Sequence, residues 1–279
     1  MKTGTASRTA LRVAIRRAAH QLVDPPPVHH DPIAVQLVGP EFARDLERAS
    51  HRIARDFRAY LAARARYAED RLAEAVAAGV DQYVVLGAGL DTFAYRNPWP
   101  HLRVFEVDFP ATQEWKRTLL AERHIAEPAS LSFAPVDFEH GTLAEGLVAA
   151  GFNPVRPTFF GWLGVVPYLT LQAFRQTLAY IAGCAEGSGV SFDYVSAPET
   201  LSEPRRIIFD RLQNRLREAG EPMKLYFHAD ALAEELRQAG FVCCDQADSD
   251  RLNDLYFRDR DDGLVLSPVR IGMLATAWV

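Results

Sequence analysis

The chain is short of cysteine, of long apolar runs and of excess positive charge, and each shortage removes a class of protein. Its three cysteines, Cys184, Cys243 and Cys244, are an odd set without metal-ligand spacing, and adjacent residues such as Cys243 and Cys244 rarely bridge each other. They read as reduced core thiols, which argues against a disulfide scaffold or a cysteine-held metal. No stretch approaches the length that spans a bilayer and no signal-peptide core follows Met1, so a cytoplasmic protein without a membrane partner is expected. With 31 Lys and Arg against 36 Asp and Glu, the net charge of -5 gives no general attraction to nucleic acid or an anionic surface. A small-molecule partner is the better expectation.

What is present is an ordinary apolar content of 48% in 279 residues, enough for a sizeable core, arranged in alternating patterns. The stretch TASRTALRVAIRRAAHQL is rich in arginine and free of acids, as an organellar transit peptide would be. Yet Leu11, Ile15, Ala18 and Leu22 share one helical face with Arg12 and Arg16 off it, so an amphipathic helix packed on the domain accounts for the same residues. DPPPVHHDP cannot continue that helix, and although His29, His30 and Asp31 could suggest a metal site, neighbouring histidines in a Pro-rich loop are expected to be simply exposed. From Glu41 to Ala78 the pattern is helical, through Phe42, Leu46, Ile53, Phe57, Leu61, Ala68 and Leu72, and Gly79 ends it.

Apolar runs then alternate with helical patterns: QYVVLG, LRVFEV, LSFAPV, TFFGWLGVV, GVSFDYV, FVCC and VRIGMLATAWV are the strand candidates. Alternation of this kind specifies a doubly wound α/β fold, a mostly parallel sheet covered on both faces. One domain over 1–279 is expected, with an N-terminal helical extension to about residue 79, a core from 80 and a lid or insertion near 199–223.

In such a sheet the first strand-to-helix turn faces the ligand crevice, and QYVVLGAGLDTF places Gly87 and Gly89 on it. A dinucleotide fingerprint would need a third glycine where Thr92 stands, which weakens NAD or FAD. VFEVDFP ends a strand in acids about twenty residues on, where a carboxylate accepts ribose hydroxyls. Asp108 stands last and is the first choice, with Glu106 on the same face as the fallback. Arg64 falls within the apolar stripe of its helix and needs an anionic partner, either a ligand carboxylate or a protein acid, unless it reaches to solvent. Arg66 points away. A glycine turn, a ribose acid and a buried arginine together suit S-adenosylmethionine, which carries a nucleoside at one end and an amino-acid carboxylate at the other.

The stretches VVLGAGLDTFAYR, VFEVDFP, ARARYAEDRL, PVDF and WLGVVPYLT resemble the motif series of the leucine carboxyl methyltransferase family. They are most similar to its bacterial branch of S-adenosyl-L-methionine-dependent O-methyltransferases, which includes enzymes acting on polyketides and other natural products. The resemblance implies a class I methyltransferase sheet, Rossmann-like, with an antiparallel last strand. By matching position it implies that Arg64 holds the methionyl carboxylate, Gly87 and Gly89 the methionyl backbone, Asp108 the ribose, and Asp137 with Phe138 the adenine. Many relatives carry Glu before the glycine of the fourth-strand motif, where this chain has Leu163 before Gly164, so a contact made by that Glu is absent here.

A carboxylate acceptor needs no base, whereas an alcohol or phenol benefits from one. Tyr168 matches the family tyrosine after the fourth strand and is assigned to substrate positioning. His140 and His228 are candidate bases, each more simply read as a surface or capping residue. The leading reading is an O-methyltransferase acting on a carboxyl or hydroxyl group of a small molecule. Three others stay open beside it: a protein C-terminal carboxyl methyltransferase, a nicotinamide-dependent oxidoreductase lacking a convincing Tyr-x-x-x-Lys pair, and a non-catalytic nucleoside-binding protein. Oligomeric state is left open.

Overall fold

A computed structural model describes residues 8–40, 42, 52–137 and 142–279; Phe138, His140 and Leu46, singled out above, lie outside them. The β-rich runs become seven strands: β1 (Gln82–Leu86), β2 (Arg103–Asp108), β3 (Leu131–Pro135), β4 (Thr158–Trp162), β5 (Gly189–Val195), β6 (Cys243–Ala247) and β7 (Gly272–Trp278). They form one sheet in the order β3-β2-β1-β4-β5-β7-β6, in which β7 runs antiparallel to both β5 and β6 and the other pairings are parallel. Every residue of β1, β4 and β5 is buried, as expected of central strands covered on both faces. Strand order reverses between β1 and β4, and a doubly wound sheet opens its ligand crevice at such a point.

The helices are α1 (Arg8–Val23), α2 (Pro32–Val38), α3 (Arg52–Ala77), α4 (Pro110–Glu122), α5 (Leu143–Ala149), α6 (Leu171–Ala182), α7 (Glu203–Glu218), α8 (Ala229–Ala239) and α9 (Ser249–Tyr256). On one face of the sheet Phe160, Phe192 and Trp162 pack against Phe174 and Leu178 of α6 and Leu232 of α8. On the other, Leu72 and Ala75 of α3 meet Tyr83, Val85 and Phe159.

Several expectations are corrected. No α-helix follows β1; the chain makes only a 3-10 turn over Phe93–Arg96, because Asp91 Oδ1 caps the Phe93 amide at 2.7 Å and Pro98 and Pro100 prevent elongation. His29 is buried rather than exposed and pairs with Glu69, while Asp31, also buried, caps α2 through the Ala34 amide. Phe57 is exposed although it falls in the apolar stripe, and guanidinium groups of Arg16 and Arg270 lie over its ring. Cys243 is exposed because it lies on the edge strand, so only Cys184 is a core thiol. No helix among the described residues is long and apolar enough to cross a membrane.

The N-terminal helices form a cap. Ile15 and Ala18 of α1 pack with Leu37, Leu90 and Leu120, while Leu11 and Leu22 are half-buried beside them, as the amphipathic pattern requires. Asp24 ties this cap to α3: its carboxylate accepts from Arg58 Nε at 2.6 Å and Nη2 at 3.0 Å, and from His20 Nδ1 at 2.9 Å. Since Val28 N–H donates to His20 Nε2, that nitrogen is the acceptor and Nδ1–H is the one that faces Asp24.

Burial alone would raise the Asp24 carboxyl, but the His20 and Arg58 hydrogen bonds prevail and hold it down at about 2. The folded value lies below the unfolded one, so this group contributes stability above about pH 4 that is lost as pH falls toward 2. The contribution is at most about 2 kcal/mol. Unfolding free energies measured from pH 6 down to 2 should therefore fall by that much more in the wild type than in Asp24→Asn. Parallel curves for the two proteins would remove Asp24 from the account.

Candidate active site

The crevice is lined by the loops that leave the C-terminal ends of the parallel strands. After β1 the chain turns at Gly87 (φ +67°) and Gly89 (φ +49°), left-handed conformations that favour glycine. The turn is held against β2 because the Gly87 and Ala88 amides both donate to Val107 O, at 2.9 and 3.0 Å. It is closely approached from outside: a Cβ on Gly87 would stand 2.4 Å from Val165 Cγ2, and one on Gly89 3.0 Å from Ala10 Cβ of α1. Thr92, where a dinucleotide site would carry glycine, has a role of its own. Its hydroxyl donates to Asp31 Oδ1 at 2.7 Å and accepts from Arg17 Nη2 at 2.9 Å, so the turn is fastened to the cap.

Asp108 ends β2 beside this turn. Oδ2 accepts the Gly89 amide at 2.6 Å and Oδ1 the Phe109 amide at 2.7 Å. Burial raises its carboxyl above the usual range, and the two amides offset only part of that. The Thr112 side chain also hydrogen-bonds this carboxylate, so of its four acceptor positions one is left for a further donor. Glu106, the fallback, is corrected: it is buried and its Oε2 accepts from Lys116 Nζ at 2.5 Å, while the same ammonium donates to Asp91 O. Burial pushes Glu106 up to about 7 against the pull of Lys116. It belongs to the packing beneath the crevice. Asp137 follows β3, half-buried, in the strand extension where the Val136 amide donates to Asp108 O at 2.9 Å.

Arg64 lies across the crevice on α3. Nη1 donates to Asp193 Oδ2 at 2.8 Å, and Asp193 Oδ1 accepts the Gly164 amide at 2.5 Å. The guanidinium sits on the bare backbone of Gly164, where a Cβ would meet Nη1 at 3.1 Å. Burial opposes the charge, but Asp193 more than restores it, and Arg64 is held above its ordinary value. Of the partners open to Arg64, a protein acid is the one present. The same acid supplies a carboxylate beside Gly164, although Leu163 supplies none. Asp193 was not singled out in the sequence, since it interrupts an otherwise apolar strand 129 residues from Arg64.

Tyr168 closes the 3-10 turn Val166–Tyr168 after β4 and is half-buried, with Asp193, Glu221 and Arg64 as its charged neighbours; burial first, then those acids, raise its phenol. His228 stands at the N-cap of α8, exposed, with Nε2 3.0 Å from Glu199 Oε1, which is the capping position expected of it. The structure thus places Gly87, Gly89, Asp108 and Asp137 at or just after the C-terminal ends of β1, β2 and β3, sets Tyr168 in the turn after β4, and brings Arg64 of α3 to Gly164 and Asp193 at the ends of β4 and β5. Among the described residues, no group of three or more His, Cys, Asp or Glu is assembled to hold a metal ion.

The sequence profile of leucine carboxyl methyltransferase matches residues 10–182, well over half of the chain. The chain belongs to the leucine carboxyl methyltransferase family. Within this family of methyltransferases it is 32% identical over 294 aligned positions to a Bacillus subtilis protein, with 95% of each chain covered. That relative bears the provisional name S-adenosyl-L-methionine-dependent methyltransferase YktD. A Mycolicibacterium smegmatis relative with the same provisional activity in its name is 31% identical over 264 positions, covering 88% of this chain and 79% of its own. The sheet described above is the Rossmann-like sheet of solved methyltransferase structures. One from Thermobifida fusca, provisionally titled a methyltransferase, superposes with a TM-score of 0.55 at 18% identity, covering 99% of this chain and 96% of its own.

Proposed function

We propose that this family member transfers a methyl group from S-adenosyl-L-methionine to a carboxylate oxygen of a small molecule. The observation that carries the reading is the convergence of Asp108, the Gly87–Gly89 turn and the Arg64–Asp193 pair on one crevice at the switch point of the sheet. The residues suit the cofactor's functional groups. Asp108 has an acceptor position left for a ribose hydroxyl, the positive-φ glycines let a ligand approach the backbone, and Asp137 would face the adenine. Arg64 keeps donors beyond the one given to Asp193 and would face the methionyl carboxylate. When bound, the sulfonium supplies an electrophilic methyl group for in-line displacement. The protein's share is alignment and exclusion of water.

A carboxyl rather than hydroxyl acceptor is favoured by where the bases are. Among the described histidines, His20 and His29 are spent on Asp24 and Glu69, and His30, His101, His124 and His228 are exposed, the last beside Glu199. Tyr60 and Tyr168 are raised by burial and are poor bases near neutral pH. An acceptor already ionised needs none of them. Tyr168 is assigned to positioning it, and α7 to covering it as a lid.

The test is product chemistry. Incubation with methyl-labelled S-adenosylmethionine and a panel of carboxylic acids and matched alcohols should yield S-adenosylhomocysteine together with a product that loses its label in mild alkali, as a methyl ester does. Label that survives alkali, as in an ether, overturns the carboxyl assignment. Absence of any cofactor binding by calorimetry overturns the whole reading.

A further inference from the structure

Two buried donors beside the Arg64–Asp193 pair have no partner among the described residues. The Tyr60 hydroxyl is one: the residue is 4% exposed, lies one helical turn before Arg64, and its OH makes no hydrogen bond. Nε of Arg270 is the other, buried and without an acceptor, although the same guanidinium pairs with Asp56 through Nη2. The two side chains are stacked, with the Arg270 guanidinium carbon 4.6 Å from the centre of the Tyr60 ring. The phenol lies on the bare backbone of Gly272, where a Cβ would come within 2.6 Å of its oxygen. This packing fixes the ring, so the hydroxyl cannot swing away to find a partner.

The location matters as much as the loose donors. Arg270 stands two residues before β7, and because β7 is antiparallel its first residues lie level with the C-terminal ends of the parallel strands. Ser196, just past β5, donates its amide to Ile271 O at 3.0 Å. Ile271 packs with Val195, Phe209 and Met223, an apolar cluster that Tyr168 joins. The helix α7 is fastened to this same segment, because Arg205 donates from Nε and Nη2 to Pro268 O at 2.9 and 2.6 Å. The donors therefore sit at the C-terminal edge of the sheet, beside the segment to which α7 is fastened, with the Arg64–Asp193 and Arg270–Asp56 pairs nearby and an apolar cluster next to them.

Both loose groups offer hydrogens. An Nε–H can only donate, and a phenol beside carboxylates is best used as a donor. What complements them is an acceptor oxygen, and a negatively charged one makes the stronger bond. We propose that Tyr60 and Arg270 form an oxyanion subsite for the methyl acceptor, a small molecule with a carboxylate held by these two donors and an apolar body lying against Val195, Phe209, Met223 and Ile271. The inference rests on the methyl-transfer reading above and assigns that site's acceptor class and the residues that choose it. Asp193 and Asp56 face the same cluster, and each is neutralised by its own arginine, so a carboxylate enters without meeting an unpaired acid.

The experiment uses the whole protein saturated with S-adenosylhomocysteine and titrates octanoate and 1-octanol by calorimetry, the two probes differing in the head group. Octanoate should bind at least tenfold more tightly than octanol. Tyr60→Phe removes only the unpartnered hydroxyl, so it should keep or raise the melting temperature, leave S-adenosylhomocysteine affinity within twofold, and weaken octanoate tenfold or more. Arg270→Lys keeps the charge facing Asp56 but loses the Nε donor, and it should weaken octanoate with octanol unchanged. Equal octanoate affinity in wild type and both variants, or no octanoate binding to a complex that does hold S-adenosylhomocysteine, overturns the subsite. Failure of wild type to hold S-adenosylhomocysteine overturns the cofactor reading instead, and the two failures are distinguished in the same titration.

Discussion

Arg64→Met is expected to lower the stability of the ligand-free protein by about 3 to 5 kcal/mol, because it leaves Asp193 buried without its partner. The methionine keeps an unbranched stem but not the guanidinium that lies against Gly164, so the loss combines the stranded charge with the packing given up at that glycine. Adding Asp193→Asn should return a large part of it: the amide oxygen still accepts from Gly164 N–H, and no stranded charge remains. Urea unfolding of the single and double variants checks this, and an Arg64→Met protein as stable as wild type would refute the pair. Repeating the melts with S-adenosylmethionine separates the second role. A variant that melts low yet gains the full ligand-induced shift confines Arg64 to the ion pair, whereas loss of the shift extends its reach to the cofactor carboxylate.

Asp108→Ala should weaken S-adenosylmethionine by tenfold or more, since a charge-assisted hydrogen bond contributes roughly 1.5 to 3 kcal/mol. The effect has two sources in this structure. The ribose hydroxyls would lose their acceptor, and the Gly89 amide loses the carboxylate that fixes the glycine turn. Asp108→Asn should fall between, because its amide oxygen can still accept from Gly89 N–H. Calorimetric titration of the three proteins, with circular dichroism to establish that each is folded, gives the order. Affinity unchanged in a folded alanine variant would remove Asp108 from the cofactor site.

The sheet was largely legible because its signals are local. GVSFDYV is bounded by Gly189 at one end and by the departure of the chain at the other, and it forms β5 over the same seven residues. Periodicity likewise found α1 and α3. Short elements were missed where the signal is a cap rather than a period: Asp31 followed by Pro32 starts α2, and Asp248 caps α9 through the Arg251 amide. The site was legible in part for the same reason. Gly87, Gly89 and Asp108 lie within one strand-turn-strand unit, so their spacing carries the information. The helical wheel marked Arg64 as buried, but its partner comes from a strand far along the chain, and no local pattern couples the two. Glu106 and Asp108 share strand parity, and only the reach of Lys116 from α4 shows which carboxylate is already engaged.

The bonds of Thr92 and Arg17 bear on time as well as on shape. Arg17 on α1 contacts Asp31 and Asp91, and Thr92 is held between Arg17 and Asp31, so the cap and the glycine turn share one set of buried bonds. The first helix cannot detach without freeing the segment from Ala88 to Phe93, and that segment cannot rearrange while the helix stays docked. Cap and turn therefore open as a single cooperative unit. Opening of the glycine turn is therefore coupled to residues near the start of the chain, remote in sequence from the groups that would touch a ligand.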